Sequence, residues 1–387
     1  MRFSLIRRTG SLKSALAILG LLALASGCAV SDRQRVQDKA SSGAFVIAQE
    51  QGFALKHEDG PPEAFTPWGF NYDRSVIEGR DVLLEDILRE RPEKIARDFA
   101  AMRHMGGNVV RVFLATGEFL NGPQEVNRKA LQRLDIVLEA ARANSLKLIL
   151  TGLANIQPET APAWMQEADD EMMEQAEMLF WKTIARHCRN EPAVFAYDLQ
   201  NEPAVPWKDT GEWVVGCFDM PSGPRFCYVH YRCRQMQRQW TQHIQQRFQT
   251  EDALRRHWPD YPRAGESWSA IAIPMQDAKD PRFGEYVAFH GVLLREWAKR
   301  LANLVRAEDS NHLVTVGALN PNAVADAVDF HCVHLYPEPV EEQEDFLKVN
   351  REKWRARVAR LPADKPLLVE ECYPMWAPEE IPLEDIL

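Results

Sequence analysis

The chain has no surplus of positive charge, no cysteine–histidine spacing suited to a structural zinc site, and no apolar run long enough for a comfortable membrane span. With 46 Lys and Arg against 56 Asp and Glu, the formal net charge is −10. The first 27 residues hold four positive charges (Arg2, Arg7, Arg8, Lys13) and no negative one, so the rest of the chain stands near −14. A surface that acidic excludes nucleic acid or an anionic membrane face as principal partner. A neutral polymer such as a polysaccharide is compatible with it. No metal and no organic cofactor is implied.

The one notable apolar run, Ala15 to Ala25 (ALAILGLLALA), follows that basic stretch and leads into Ser26-Gly27-Cys28. Its length and flanks are those of a cleaved export signal. Leu24 to Cys28 (LASGC) resembles a bacterial lipobox, in which the Cys is acylated and becomes the first residue. The expected organisation is a signal peptide over 1–27, a polar lipid-anchored tether over 28–43, and one catalytic domain over 44–387. That describes an exported lipoprotein, periplasmic or at the cell surface, touching membrane through its lipid alone. Six cysteines remain beside Cys28. Cys217 and Cys227 flank a loop of turn formers (FDMPSGPRF) and are the disulfide candidates, with Cys233 close enough to compete. Cys188, Cys332 and Cys372 sit in apolar stretches and read as buried free thiols.

What is present is an alternation of short apolar runs with amphipathic stretches. Seven runs read as parallel strands buried on both faces: 65–72, 108–114, 146–152, 193–200, 313–318, 328–336 and 366–372. Helices are expected after Arg91-Pro92-Glu93, from about Asn127, over Glu171 to His187, over Tyr231 to Phe248, and over Tyr286 to Val305. Strands alternating with helices predict an α/β fold, a (β/α)8 TIM barrel. No eighth strand is read before Leu387, so the barrel is expected to be truncated after the seventh. More than one hundred residues separate the fourth and fifth strands, an insertion long enough to form one wall of a site.

The fourth run ends in Asn201-Glu202-Pro203, and the seventh in Glu370-Glu371. Carboxylates at the carboxyl ends of barrel strands lie on the catalytic face. Two facing carboxyls about 5–5.5 Å apart suit retaining glycoside hydrolysis, one protonating the leaving oxygen while the other attacks the anomeric carbon. Trp181 and Trp297 fall on helical stripes and read as core, as does His290. Trp68, Trp207, Trp213 and Trp376 lie near strand ends, where flat rings could stack on sugar faces.

From about Phe45 to its end the chain resembles the clan A glycoside hydrolases, closest to glycoside hydrolase family 5, the cellulase and mannanase family. The resemblance implies Glu202 as acid/base within Asn201-Glu202-Pro203, and Arg111 in NVVRVF as support for the nucleophile. It matches the family's His-x-Tyr to His334-Leu335-Tyr336. Its seventh-strand pattern matches Lys365 to Glu371 (KPLLVEE), with Glu371 as nucleophile and Glu370 left solvated or supporting. Residues 150–155 (LTGLAN) look like the mannanase-type branch, and Cys372-Tyr373 replaces the usual aromatic-glycine pair. Residues 247–274 are similar to a segment of clan A β-galactosidases. The implied activity is retaining hydrolysis of β-glycosidic bonds in a mannan- or glucan-type polysaccharide or oligosaccharide. The alternatives are an exo-acting β-galactosidase- or β-mannosidase-like enzyme and a non-catalytic polysaccharide-binding surface lipoprotein.

Overall fold

The computed structural model describes residues 43–50, 52–154, 162–203, 236–274, 280–318, 321–340 and 345–372. All seven expected strands form: β1 (Gly69–Tyr72), β2 (Val109–Ala115), β3 (Lys147–Ala154), β4 (Val194–Asn201), β5 (Leu313–Gly317), β6 (His331–His334) and β7 (Leu367–Glu371). The first five make one parallel sheet in the order β5-β4-β3-β2-β1, and β6 pairs in parallel with β7. The two pieces meet where β5 packs on β6, and Thr315 Oγ1 donates to Phe330 O at 3.0 Å across the seam. Each strand thus neighbours its successor, as in a (β/α) barrel, and among the described residues the sheet does not close on itself. Residues along the whole of β3 and β4 are buried, which is why these strands read as nearly continuous apolar runs.

The helices follow their capping residues. Among them are α1 (Glu93–His104), α2 (Arg128–Ala143), α3 (Asp170–Cys188), α4 (Pro281–Glu308) and α5 (Phe346–Val358). Asn127 caps α2 by accepting from Lys129 N at 3.1 Å, and Asp169 caps α3 by accepting from Met172 N at 2.8 Å. Helix α4 starts earlier than its apolar stripe suggests, because Asp280 is the cap and Pro281 takes the first turn. The expected 231–248 helix is described over Met236–Phe248. Trp181 and Trp297 are fully buried in the main core. Gly152 admits this packing, since a Cβ there would stand 2.3 Å from the Trp181 ring and 2.6 Å from Phe180.

Two features go beyond the sequence reading. The stretch 45–65 forms a three-stranded antiparallel sheet (Phe45–Gln49, Gly52–Lys56, Glu63–Phe65) that plugs the floor of the barrel. Phe53 meets Phe195 and Phe330 edge-on, while Val109, Ile149 and Cys332 complete the plug from the strands. Lys147 clamps it by donating to Ala44 O at 2.6 Å and to Pro192 O at 2.7 Å. The long β4–β5 connection also carries its own small core, in which Trp240, Trp258 and Tyr261 pack on Tyr286, Phe289 and Leu293 of α4. There Arg282 is buried against Glu266 at 2.7 Å and stacks over Trp258 at 4.6 Å. Because α4 runs back toward the start of β5, its first half and this core lie on the carboxyl-end side of the sheet.

Cys188 and Cys332 are buried free thiols as expected, and Cys372 is half-buried. Cys28, Cys217, Cys227, Cys233, Trp207, Trp213 and Trp376 lie outside the described residues.

Candidate active site

The pleat stacks the interior in layers. Val109, Ile149, Ala196, Cys332 and Leu368 belong to the apolar floor. A step of two residues along each strand, which returns a side chain to the same face, reaches Arg111, Thr151, Asp198, His334 and Glu370. This second layer is polar and buried. A polar group in such a place must be paired or it costs several kcal/mol, and here each side chain has a partner, Glu370 Oε1 meeting Arg111 as an ion pair without a hydrogen bond.

Arg111 is the hub. Its Nη2 lies 2.6 Å from Asp198 Oδ2 and 2.7 Å from Asn201 Oδ1, and its Nη1 lies 2.6 Å from Glu371 Oε1. Its Nε stands 3.1 Å from Glu370 Oε1. Asp198 is held in turn by Thr151 Oγ1 at 2.8 Å and by Gly317 N at 2.8 Å. One guanidinium therefore faces three carboxylates. Burial opposes its charge, but Glu370, Asp198 and Glu371 raise its pKa well above the ordinary value. Asp198 is shifted up, by burial first and then by the Glu370 charge, against the pull of Arg111.

Above this layer lies the mouth. Asn201 ends β4, and Glu202 follows in the left-handed region with φ 44°, its N–H donating to Gly317 O at 2.7 Å. Glu202 Oε1 lies 2.7 Å from His334 Nδ1. Tyr336 donates to Glu371 Oε2. One atom from each of Glu202, His334 and Glu371 lies within 4.8 Å of the others. Burial would raise Glu371, yet the Arg111 and His334 charges and the Tyr336 hydroxyl bring it below the usual glutamate value. His334 is pushed up to about 9: burial opposes its charge, but the bonds to Glu202 and Glu370 and the nearby carboxylate charges outweigh it.

The structure thus brings Arg111, Asn201, Glu202, His334, Tyr336 and Glu371 together. It decides one alternative, since Glu370 is the supporting residue, and corrects one expectation, that for Trp68. Glu370 is not solvated, for its side chain is 1% exposed and ion-paired to Arg111 and His334. It is Glu370 that continues the inward face of Leu368, while Glu371 joins at the rim where the β6–β7 register shifts between Val333 and His334. Trp68 does not reach the mouth. It precedes β1 beside Asn108, at the amino ends of the strands and roughly 10 Å below the level of Arg111. There it is half exposed. The 65–72 run is in fact two strands turned apart at Thr66 to Trp68, which is what displaces it.

Asp198, Thr151, Asn71 and Gly317 were missed as site residues. A carboxylate inside AVFAYDLQ and a hydroxyl inside LKLILTG were the available signals, since polar groups in strands buried on both faces need partners.

A parallel barrel sheet with carboxylates at the ends of its fourth and seventh strands is the architecture of a clan A glycoside hydrolase. Residues 86–248 match the family model Cellulase (glycosyl hydrolase family 5). It is similar in fold to an exo-beta-1,4-mannosidase from Opitutaceae bacterium strain TAV5, at 18% identity and a TM-score of 0.50, covering 86% of this chain and 48% of that one. It is also similar to a beta-galactosidase from the psychrophilic Marinomonas ef1, at 17% identity and a TM-score of 0.50, covering 73% and 46%. This chain therefore spans about half the length of either. An endo-1,4-beta-mannanase from Rhizomucor miehei aligns at 16% identity and a TM-score of 0.46, covering 85% and 82%. No curated protein matches the chain.

Proposed function

We propose that this protein hydrolyses β-glycosidic bonds in mannan- or glucan-type glycans with retention, by double displacement. The observation that carries the reading is the approach of Glu202 and Glu371, with atoms within 4.8 Å. That closeness suits a nucleophile and an acid, whereas an inverting pair stands roughly 6.5–9.5 Å apart to admit a water.

Glu371, ionised and aimed by Arg111 and Tyr336, attacks the anomeric carbon as the bond to the leaving oxygen breaks. Glu202 accepts from His334 at Oε1, which leaves Oε2 to deliver the proton to that oxygen. Water then attacks the anomeric carbon, Glu202 takes its proton, the hydroxyl joins the sugar, and Glu371 is released.

The test is intact-protein and peptide mass spectrometry after incubation with 2-deoxy-2-fluoro β-mannoside, β-glucoside and β-galactoside probes. A covalent adduct on Glu371 is expected, and the probe that reacts names the sugar. An adduct on Glu370, or none on a folded chain with probes of several lengths, would overturn the reading.

A second reading, exo action, is favoured by the separate core on the β4–β5 connection, which lies on the carboxyl-end side where it can wall off one end of a cleft. Early in the time course, equimolar monosaccharide and tetrasaccharide from a β-linked pentasaccharide would support it, and disaccharide with trisaccharide appearing before any monosaccharide would reject it.

The export reading rests on residues 1–28. We infer lipid attachment at Cys28. Growth with an alkynyl fatty acid should label the chain, and Cys28→Ser should abolish the label. Undiminished labelling of Cys28→Ser would refute it.

A further inference from the structure

Glu370 has no task in the double displacement, yet it is buried, charged in type, and placed at the centre of the cluster. Its Oε2 lies 3.4 Å from His334 Nε2, and its Oε1 lies 3.1 Å from Arg111 Nε. Asn71 Nδ2 fixes its backbone by donating to Glu370 O at 3.0 Å. The opposite nitrogen of the same ring, His334 Nδ1, is the one that meets Glu202. Glu370, His334 and Glu202 therefore form a chain of three across the barrel, with the imidazole in the middle.

Room for this chain comes from Gly317. A Cβ there would stand 2.6 Å from Glu370 Oε2, 3.1 Å from Arg111 Nη2 and 3.2 Å from His334 Nε2. Its backbone groups are already engaged, N by Asp198 and O by Glu202. The side-chain-free end of β5 is the space in which Glu370 and His334 meet.

We propose that Glu370 is a positioning residue which, by accepting the Nε2–H of His334, fixes that ring as a doubly protonated donor whose Nδ1–H is aimed at Glu202. The two partners give the direction its reason. An imidazole that keeps hydrogens on both nitrogens needs an acceptor at each end, and these two carboxylates supply them. The groups facing the ring are Glu202 from the end of β4, Glu370 and Glu371 from β7, and Arg111 from β2; β5 presents only Gly317. Asp198 acts on it through Arg111. The shift of His334 up to about 9 agrees with this arrangement. The consequence for the reaction is that Glu202 Oε1 is occupied throughout by a donor, so its other oxygen alone exchanges protons with substrate and water. That consequence rests on the catalytic reading above; the ring's charge and orientation do not.

The experiment is a ¹⁵N NMR titration of the histidine rings in the full chain, with His334 assigned by the loss of its signals in His334→Asn. In the wild type the ring is expected to carry both hydrogens at pH 7.5. In Glu370→Gln, which keeps an acceptor but removes the charge, it should titrate at least about one pH unit lower, tenfold in its protonation equilibrium. Glu370→Asp, which keeps the charge one methylene further back, should fall between the two. A neutral wild-type ring at pH 7.5, or identical titrations in wild type and either variant, would overturn the proposal. Where Glu370→Gln fails to fold, the wild type and Glu370→Asp decide it. Turnover is followed in parallel. A shifted basic limb of kcat/KM in Glu370→Gln ties the ring to the acid/base step, whereas lowered kcat with unmoved limbs and an unmoved ring means Glu370 only fills space. A charged wild-type ring in a chain with no glycosidase activity would sustain this inference and sink the functional reading instead.

Discussion

Glu371→Ala is expected to lower turnover of an aryl β-glycoside by roughly 10⁴-fold or more, and added azide should then yield a glycosyl azide of inverted configuration. The reason is spatial. Removing the side chain opens a hole where the nucleophile stood, and a small anion entering it attacks the same face of the sugar once, without a second displacement. Glu202→Ala leaves that first attack intact. Its loss should be about 10²–10⁴-fold on a poor leaving group and much smaller on a dinitrophenolate, which departs without a proton. Azide should rescue this variant with the opposite outcome, a product of retained configuration, because it attacks a glycosyl-enzyme that has already formed. NMR of the two azides distinguishes the roles. Products of swapped configuration would reverse the assignment, and retained configuration from both would remove Glu371 as nucleophile.

The second large effect is expected at Arg111. Arg111→Met keeps much of the side chain's length and leaves Asp198, Glu370 and Glu371 without their shared cation. Stranding buried charge of this kind costs about 3–5 kcal/mol, and activity should be lost with it. The cost should depend on pH. In the wild type Glu371 has a depressed pKa, so its contribution to stability is present above the unfolded value of 4.5 and is lost as pH falls through the lower folded value. In Arg111→Met the stranded carboxylates gain by protonation, so the gap in melting temperature between variant and wild type should narrow from pH 7 toward pH 4. A gap that stays constant over that range would mean that Arg111 stabilises by packing alone. The same variant should lose its response to the fluoro-sugar probes, because an unoriented Glu371 attacks poorly.

The carboxylate ends of β4 and β7 were legible because short motifs mark them and because the carboxyl end of a barrel strand is a fixed address. Arg111 in NVVRVF was legible through the family resemblance. The polar layer behind them was not, although its members obey the simplest rule of strands. Asp198 and Glu370 lie two residues above floor residues on their own strands. In a regular strand the premise holds that only one of Glu370 and Glu371 points inward. The register shift between Val333 and His334 defeats that premise, since pairing irregularities depend on both strands at once and leave no mark in either alone. Trp68 was misplaced for a different reason. Joining 65–72 into one strand hid the direction of the chain at its start, and proximity to a strand in sequence does not say which end of it is near. The floor sheet went unread because its short strands, such as Phe45–Gln49 and Gly52–Lys56, alternate too weakly to stand out, and take their partners largely from the barrel.

The left-handed turn at Glu202 has a consequence for how this protein could change under selection. With φ at 44°, a side chain there costs of order 1–3 kcal/mol that a glycine would not incur. The acid is kept in place at the expense of the backbone that bears it. Glycine at 202 would relax the backbone but strand the buried His334 Nδ1, so the bond to that ring offsets the strain and holds the turn and the acid together.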